Sequence, residues 1–210
     1  MRRLAVVVLV LLLGLLVAAD YGARRVAEAQ LRDRLAGSVK QASSPEAHIR
    51  SFPFLGRLLV SGTVSDVDVA LHGVVSHRLR FRIITADLRD VHVDRDRLLS
   101  DRKVVVLSLA RGTATAEIDD RDLSELLGAS VRIGNGSATV SAGGRSLTLA
   151  LSLGNGSLVV QAPTAGIRST TFPIPKLPLL PCASRLTLVP GVIRITCDFD
   201  QVPPELRTPH

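Results

Sequence analysis

From Ser44 onward the chain settles into a period of two, and that alternation constrains the fold more than any other feature. Val67, Val69 and Leu71 alternate with Asp66, Asp68 and Ala70, and Leu79, Phe81 and Ile83 alternate with Arg78, Arg80 and Arg82. Successive strand side chains point to opposite faces, so each stretch offers one apolar face to a core. "LRDVHVD" keeps the pattern imperfectly, with Leu88, Val91 and Val93, and "KVVVLSLARGTATAEI" reads as a strand through Val104, Val105, Val106 and Leu107.

The alternating stretches are joined by turn chemistry. "VRIGNGSATVSA" and "LSLGNGSLVVQA" share one frame, an apolar arm, Gly-Asn-Gly-Ser, then an alternating arm. Asn-Gly between apolar runs is a strong hairpin signal, because both central turn positions need positive φ. The frame spans only these segments and implies no duplicated domain. A short helix interrupts the strands at "IDDRDLSELLGAS", with Asp119 or Asp120 as cap, Leu123, Leu126 and Leu127 as its stripe, and Gly128 as its stop. "CASRLTLVPGVIRITCDF" predicts a last hairpin turning at Pro190-Gly191. That turn sets Cys182 and Cys197 across from each other within a residue or two. Two cysteines in an exported chain read as one disulfide, worth about 3 kcal/mol by loop-closure entropy.

The N-terminus sets the compartment. "MRRLAVVVLVLLLGLLVAAD" places Arg2 and Arg3 before an uncharged apolar run from Leu4 to Ala19, and Val17-Ala18-Ala19 suits a signal peptidase. The run is a little short for a membrane span of ~20 residues. Thinned bilayers and snorkelling flanks accommodate such a length, so a retained anchor stays open beside a cleaved signal. The chain is expected to be exported to the cell envelope or periplasmic space. Beyond the run, Ala23, Val26, Ala27, Gln30, Leu31, Arg34 and Leu35 fall on one face of a helix, with Asp20 as its expected N-cap and Gly37 near its end.

Two stretches break the alternation with aromatic residues and proline. The 210 residues hold five Phe, one Tyr and no Trp, yet "SFPFLGRLLVSG" places Phe52 and Phe54 around Pro53 just before a strand. "TFPIPKLPLLP" repeats the idea with Phe172 before Pro173, and its prolines bar it from a central strand. Both read as apolar, proline-stiffened loops, and such loops can form the mouth of an apolar groove.

Catalytic signatures do not emerge. There is no G-x-S-x-G elbow, P-loop, H-E-x-x-H or Rossmann fingerprint. His48, His72, His77, His92 and His210 are scattered without metal-ligand spacing, and His92 reads as an exposed strand residue. No cofactor and no metal are expected. The formal charge of +7 favours an anionic partner. Export and the lack of stacking aromatics among the arginines of "HRLRFRII" argue against nucleic acid.

In order along the chain, "RVAEAQLRDRL", "FPFLGRLLVSGTVSDVDV", "DLSELLG", "LPLLP" and "VPGVIRITCDF" resemble the actinobacterial LmeA-like family of envelope proteins. The resemblance spans about residues 20–206. It implies an α+β fold, a curved antiparallel β-sheet wrapped around a long N-terminal helix, similar to one half of a tubular, BPI/TULIP-like lipid-binding fold. It also implies a non-enzymatic phospholipid-binding protein linked to the upkeep of envelope glycolipids. Carried onto this sequence, Phe52, Phe54, Leu55, Leu58 and Leu59 border the lipid site, and by similar composition Phe172, Ile174, Leu177 and Leu179 join them. Arg50 and Arg57 are placed to meet an anionic headgroup.

The expected organisation is a signal peptide or anchor at 1–19, one lipid-binding domain at 20–206 and a disordered tail at 207–210. The expected partners are a phospholipid or other anionic envelope lipid and the membrane surface. An alternative is an anchored scaffold that binds a protein through the same apolar loops. An enzyme acting on envelope lipids would need a clustered nucleophile and base.

Overall fold

Hairpins joined at glycine turns organise the computed structural model, which describes residues 2–38, 44–76, 79–101, 104–142, 144–154, 157–162, 167–173 and 184–202. The chain runs α1 (Arg2–Ser38), β1 (Ser44–Ile49), α2 (Phe54–Ser61), β2 (Thr63–Ser76), β3 (Leu79–Val93), α3 (Arg95–Asp101), β4 (Val106–Ser108) and β5 (Arg111–Asp119). It continues α4 (Asp120–Leu127), β6 (Ser130–Ile133), β7 (Ala138–Ala142), β8 (Arg145–Gly154), β9 (Ser157–Ala162), β10 (Ile167–Pro173), β11 (Arg185–Val189) and β12 (Val192–Phe199). This is the expected α+β class, one long N-terminal helix with antiparallel sheets that do not close.

The strands form two sheets. One has seven strands, ordered β1-β2-β3-β5-β12-β11 with β4 also on β3, and the other runs β10-β9-β8-β7-β6. The predicted turns hold. Val189 pairs with Val192 around Gly191, whose φ is 78°, and Ile133 pairs with Ala138 around Gly136, whose φ is 74°. Gly154 pairs with Ser157, flanking the second Asn-Gly, which lies outside the described residues. The first two turns also meet each other. Gly191 donates to the Ile133 carbonyl at 2.9 Å and Gly136 to the Leu188 carbonyl at 3.1 Å, tying the two sheets together.

Two apolar clusters share the inner face of the seven-stranded sheet. In one, Phe81, Ile84, Ile118, Ile193 and Ile195 meet Val131, Val140, Leu149, Leu158 and Val160 of the second sheet, with Leu123 of α4 between them. Helix α4 starts and stops as its sequence predicts, with Asp119 at the N-cap position and Gly128 at φ 63°. In the other cluster, Val64, Val91, Val93, Ala114, Cys197 and Phe199 are covered by Ala23 and Ala27 of α1 and by α2. Small residues on both sides let the helix axis come close to the sheet.

Several sequence expectations change. Asp20 does not start the helix it lies on, because α1 runs unbroken from Arg2 to Ser38. Its buried face is also turned from the expected one. Glu28 is buried, whereas Val26 and Gln30 face outward. Apolar periodicity overlooks a carboxylate that burial can satisfy, and Glu28 accepts from Ile49 N–H at 2.9 Å and from Arg24 Nε at 3.1 Å. The Val104–Leu107 run yields only the three-residue β4. The imperfect spacing of Leu88 and Val91 has a backbone cause, since Asp90 between them sits at φ 47°, a region short polar side chains tolerate.

Candidate lipid-binding site

"FLGRLLVS", Phe54–Ser61, is a helix where the sequence predicts a loop. Gly62, at φ 65°, stops α2 and donates to the Arg57 and Leu58 carbonyls. Gly62 in turn accepts a hydrogen bond from Val93 N–H at 2.7 Å, which pins the end of α2 to β3. Helix α2 has two characters. Phe54 is buried in the second cluster, with Leu55 and Leu58 half-buried against it, and full burial of such a ring is worth about 1.5–3 kcal/mol. On the outward side Phe52 is 72% and Val60 80% exposed, and Leu59 is exposed beside them. Sequence reasoning passed over Val60; its spacing from Leu59 and Phe52 is meaningful only once the segment is helical.

The two headgroup arginines lie on either side of this segment. Arg50 makes an ion pair with Asp68 at 2.5 Å, and the Arg57 guanidinium donates to the Ser65 hydroxyl. Both guanidinium groups stay at the surface. Of the second predicted group only Phe172 is described, and it is not part of the cluster that holds α2. Phe172, on β10, packs against the cluster between the two sheets, and Ile174, Leu177 and Leu179 lie outside the described residues. Cys182 also lies outside them, while Cys197 is fully buried on β12 opposite Ala114 of β5.

The outer face of the seven-stranded sheet is polar and laced with ion pairs. Arg89 reaches Asp66 at 3.8 Å and Asp87 at 3.4 Å, and Arg194 reaches Glu117 at 2.9 Å. A depression of about 560 Å³ on this face is lined by Thr85, Asp87, Arg89, Arg111, Thr113 and Thr115. Such a lining suits water and not an acyl chain. A second, about 360 Å³, lies between Val75, Arg80, Asp122, Glu125 and Leu126. There burial pushes the Asp122 carboxyl up; Arg80 opposes the rise, and Asp119 and Glu125 add to it. The hollow along Leu4, Ala5, Val8, Leu9 and Leu12 is the open flank of the bare part of α1.

His92 is exposed, with Nδ1 3.2 Å from the Asp90 carbonyl. Among the described residues no group of three His, Cys, Asp or Glu side chains is placed to hold a metal. Among the described residues one helix is long and apolar enough to cross a membrane; it lies at the N-terminus, and every residue from Arg3 to Ala19 is exposed. These features match a signal peptide or a membrane anchor.

Neither a curated protein nor a solved structure matches this chain. One protein family does, described as LmeA-like phospholipid-binding, and the match covers residues 18–198, from the end of the apolar run to the last strand. With most of its length matched, the chain belongs to the LmeA-like phospholipid-binding family.

Proposed function

We propose that this protein is a non-enzymatic phospholipid binder of the cell envelope that holds acyl chains in an apolar groove beginning at α2. The observation that carries the reading is the apolar continuity of α2, from exposed Phe52, Leu59 and Val60, through half-buried Leu55 and Leu58, to buried Phe54. A chain leaving a bilayer needs such an unbroken path, because each methylene exposed to water costs about 0.8 kcal/mol. Arg50 and Arg57 then meet the headgroup, and Phe172, Ile174, Leu177 and Leu179 contribute a second apolar border.

In this reading residues 1–19 act as signal peptide or anchor, 20–206 as one lipid-binding domain and 207–210 as a tail. A Cys182–Cys197 disulfide would hold the base of the last hairpin. What supports this pairing is the β11–β12 register, which ends with Arg185 opposite Thr196, the neighbour of Cys197. The role in envelope glycolipid upkeep belongs to the same proposal, and so does the absence of catalysis, which the family's description by binding favours.

The test is to capture the protein from the envelope in whichever processed form it takes. It is then washed in a phospholipid-free detergent and extracted with organic solvent for mass spectrometry. A near-stoichiometric phospholipid is expected, and it should be lost from a folded Phe52→Asp variant. Protein that carries no lipid and takes none from vesicles would sink the reading. One co-purifying protein in place of lipid would favour the scaffold.

A further inference from the structure

We propose that the end of the domain formed by α2, α3 and β4 is a docking surface for the outer leaflet of the same bilayer that Leu4–Ala19 crosses. The proposal rests on the membrane-surface part of the function above and on retention of the N-terminal segment, but not on a bound lipid.

Outside α1, the exposed large apolar side chains among the described residues are Phe52, Leu59, Val60, Leu99, Val104 and Leu107. They belong to one end of the molecule. Helix α3 packs on α2, and the Arg95 guanidinium donates to the Leu59 and Val60 carbonyls at 3.3 and 3.4 Å, which ties the start of α3, the helix that carries Leu99, to the end of α2. Strand β4, with Leu107, pairs with the end of β3 that leads into α3. The sheet's other exposed positions are polar or charged, so the apolar surface is concentrated here. Soluble surfaces scatter such residues singly; a cluster marks something that covers it.

The route of α1 says what covers it. The apolar run ends at Asp20, which is buried, and its carboxylate accepts from Leu55 N–H at 2.6 Å. The start of α2 is therefore fixed beside the residue at which the helix leaves the bilayer. Sixteen residues from Leu4 to Ala19 rise about 24 Å, close to a hydrocarbon thickness of about 30 Å. That leaves no spacer between membrane and domain. Tyr21 marks the same level. It is exposed one residue past Asp20, with the Arg25 guanidinium 5.1 Å from its ring, an amphipathic pair suited to the headgroup layer. Arg57 and Arg95 rim the apolar cluster as cations that favour anionic lipid.

Because the chain has no Trp, single tryptophans report position without background. Full-length Val60→Trp, Leu99→Trp and Leu107→Trp variants would be placed in nanodiscs of mixed phosphatidylcholine and phosphatidylglycerol, with and without brominated acyl chains. Leu12→Trp serves as the inserted reference and Arg121→Trp, on α4, as the distant one. The expected result is a loss of at least half the emission at positions 12, 60, 99 and 107, and none at 121. Quenching at 60 alone would overturn the docking surface and leave a lipid site at α2. Blue-shifted but unquenched emission at 60 and 99 would also overturn it and assign the surface to a protein or a second copy of this chain. Quenching at 12 alone, or at none, would overturn it outright. Quenching at 60, 99 and 107 in protein that carries no extractable lipid would uphold the docking surface while the lipid-carrier reading fails.

Discussion

The carboxylate of Asp20 accepts a hydrogen bond from the Leu55 backbone N–H at 2.6 Å, so the first charged residue of α1 beyond the apolar run caps a different helix. The first turn of α2 has orphan N–H groups, and its own N-cap position is Pro53, which provides no side-chain acceptor. An anion there also complements the helix dipole. Asp20→Ala should cost about 1 kcal/mol, the usual loss for an N-cap acceptor. Hydrogen exchange is expected to quicken across Phe54–Ser61 and to stay unchanged in the β6–β10 sheet. Unaltered protection of α2 would mean that its packing alone holds it.

Glu28 should matter more. The residue is 4% exposed, and its carboxylate receives the N–H of Ile49 on the edge strand β1. Glu28→Ala leaves that donor buried and unpaired, at about 1–3 kcal/mol. Glu28→Gln keeps an acceptor and should recover most of the loss. Urea midpoints of the micelle-held chain would show the order, wild type above Gln above Ala. Equal midpoints would mean that water replaces the carboxylate.

Gly112 carries the ring of Phe199. A Cβ at Gly112 would overlap the ring of Phe199, its cross-strand partner in β12. Gly112→Ala should therefore displace the ring from the second cluster and destabilise by about 1–3 kcal/mol, the cost of overpacking. A melting temperature within a degree of wild type would show that the ring swings aside freely.

Asp122 should give a pH signature. Its carboxyl is raised above 3.8, chiefly by burial. Between its unfolded and folded values the native state binds more protons, so this group costs stability as pH rises through that window. Asn does not titrate. The stability of Asp122→Asn relative to wild type is expected to improve from about pH 3 to about pH 6. A constant difference would mean that the carboxyl titrates alike in both states.

Hairpins and the short helix could be read directly, because each rests on residues adjacent in the chain. Pro190-Gly191 and Gly136 provide turn conformations, Gly128 the stop of α4, and the alternating arms do the rest. The resemblance also located the apolar segment at Phe52–Leu59. Its helical form was obscured by Pro53 and the following strand, so Phe54 read as a loop residue and Val60 went unnoticed.

Alternation, turn dipeptides and the apolar run act within a few residues, and they were enough to specify an antiparallel α+β chain with one apolar N-terminal helix. Everything that places the candidate site is longer in range. Asp20 meets Leu55 across 35 residues, Glu28 meets Ile49 across 21, and Arg95 closes on the end of α2 across 35 or more. Such pairings follow from which faces are left to be buried after the sheets have formed. A buried carboxylate or an exposed valine takes its meaning from the surface it meets, and folding decides that surface.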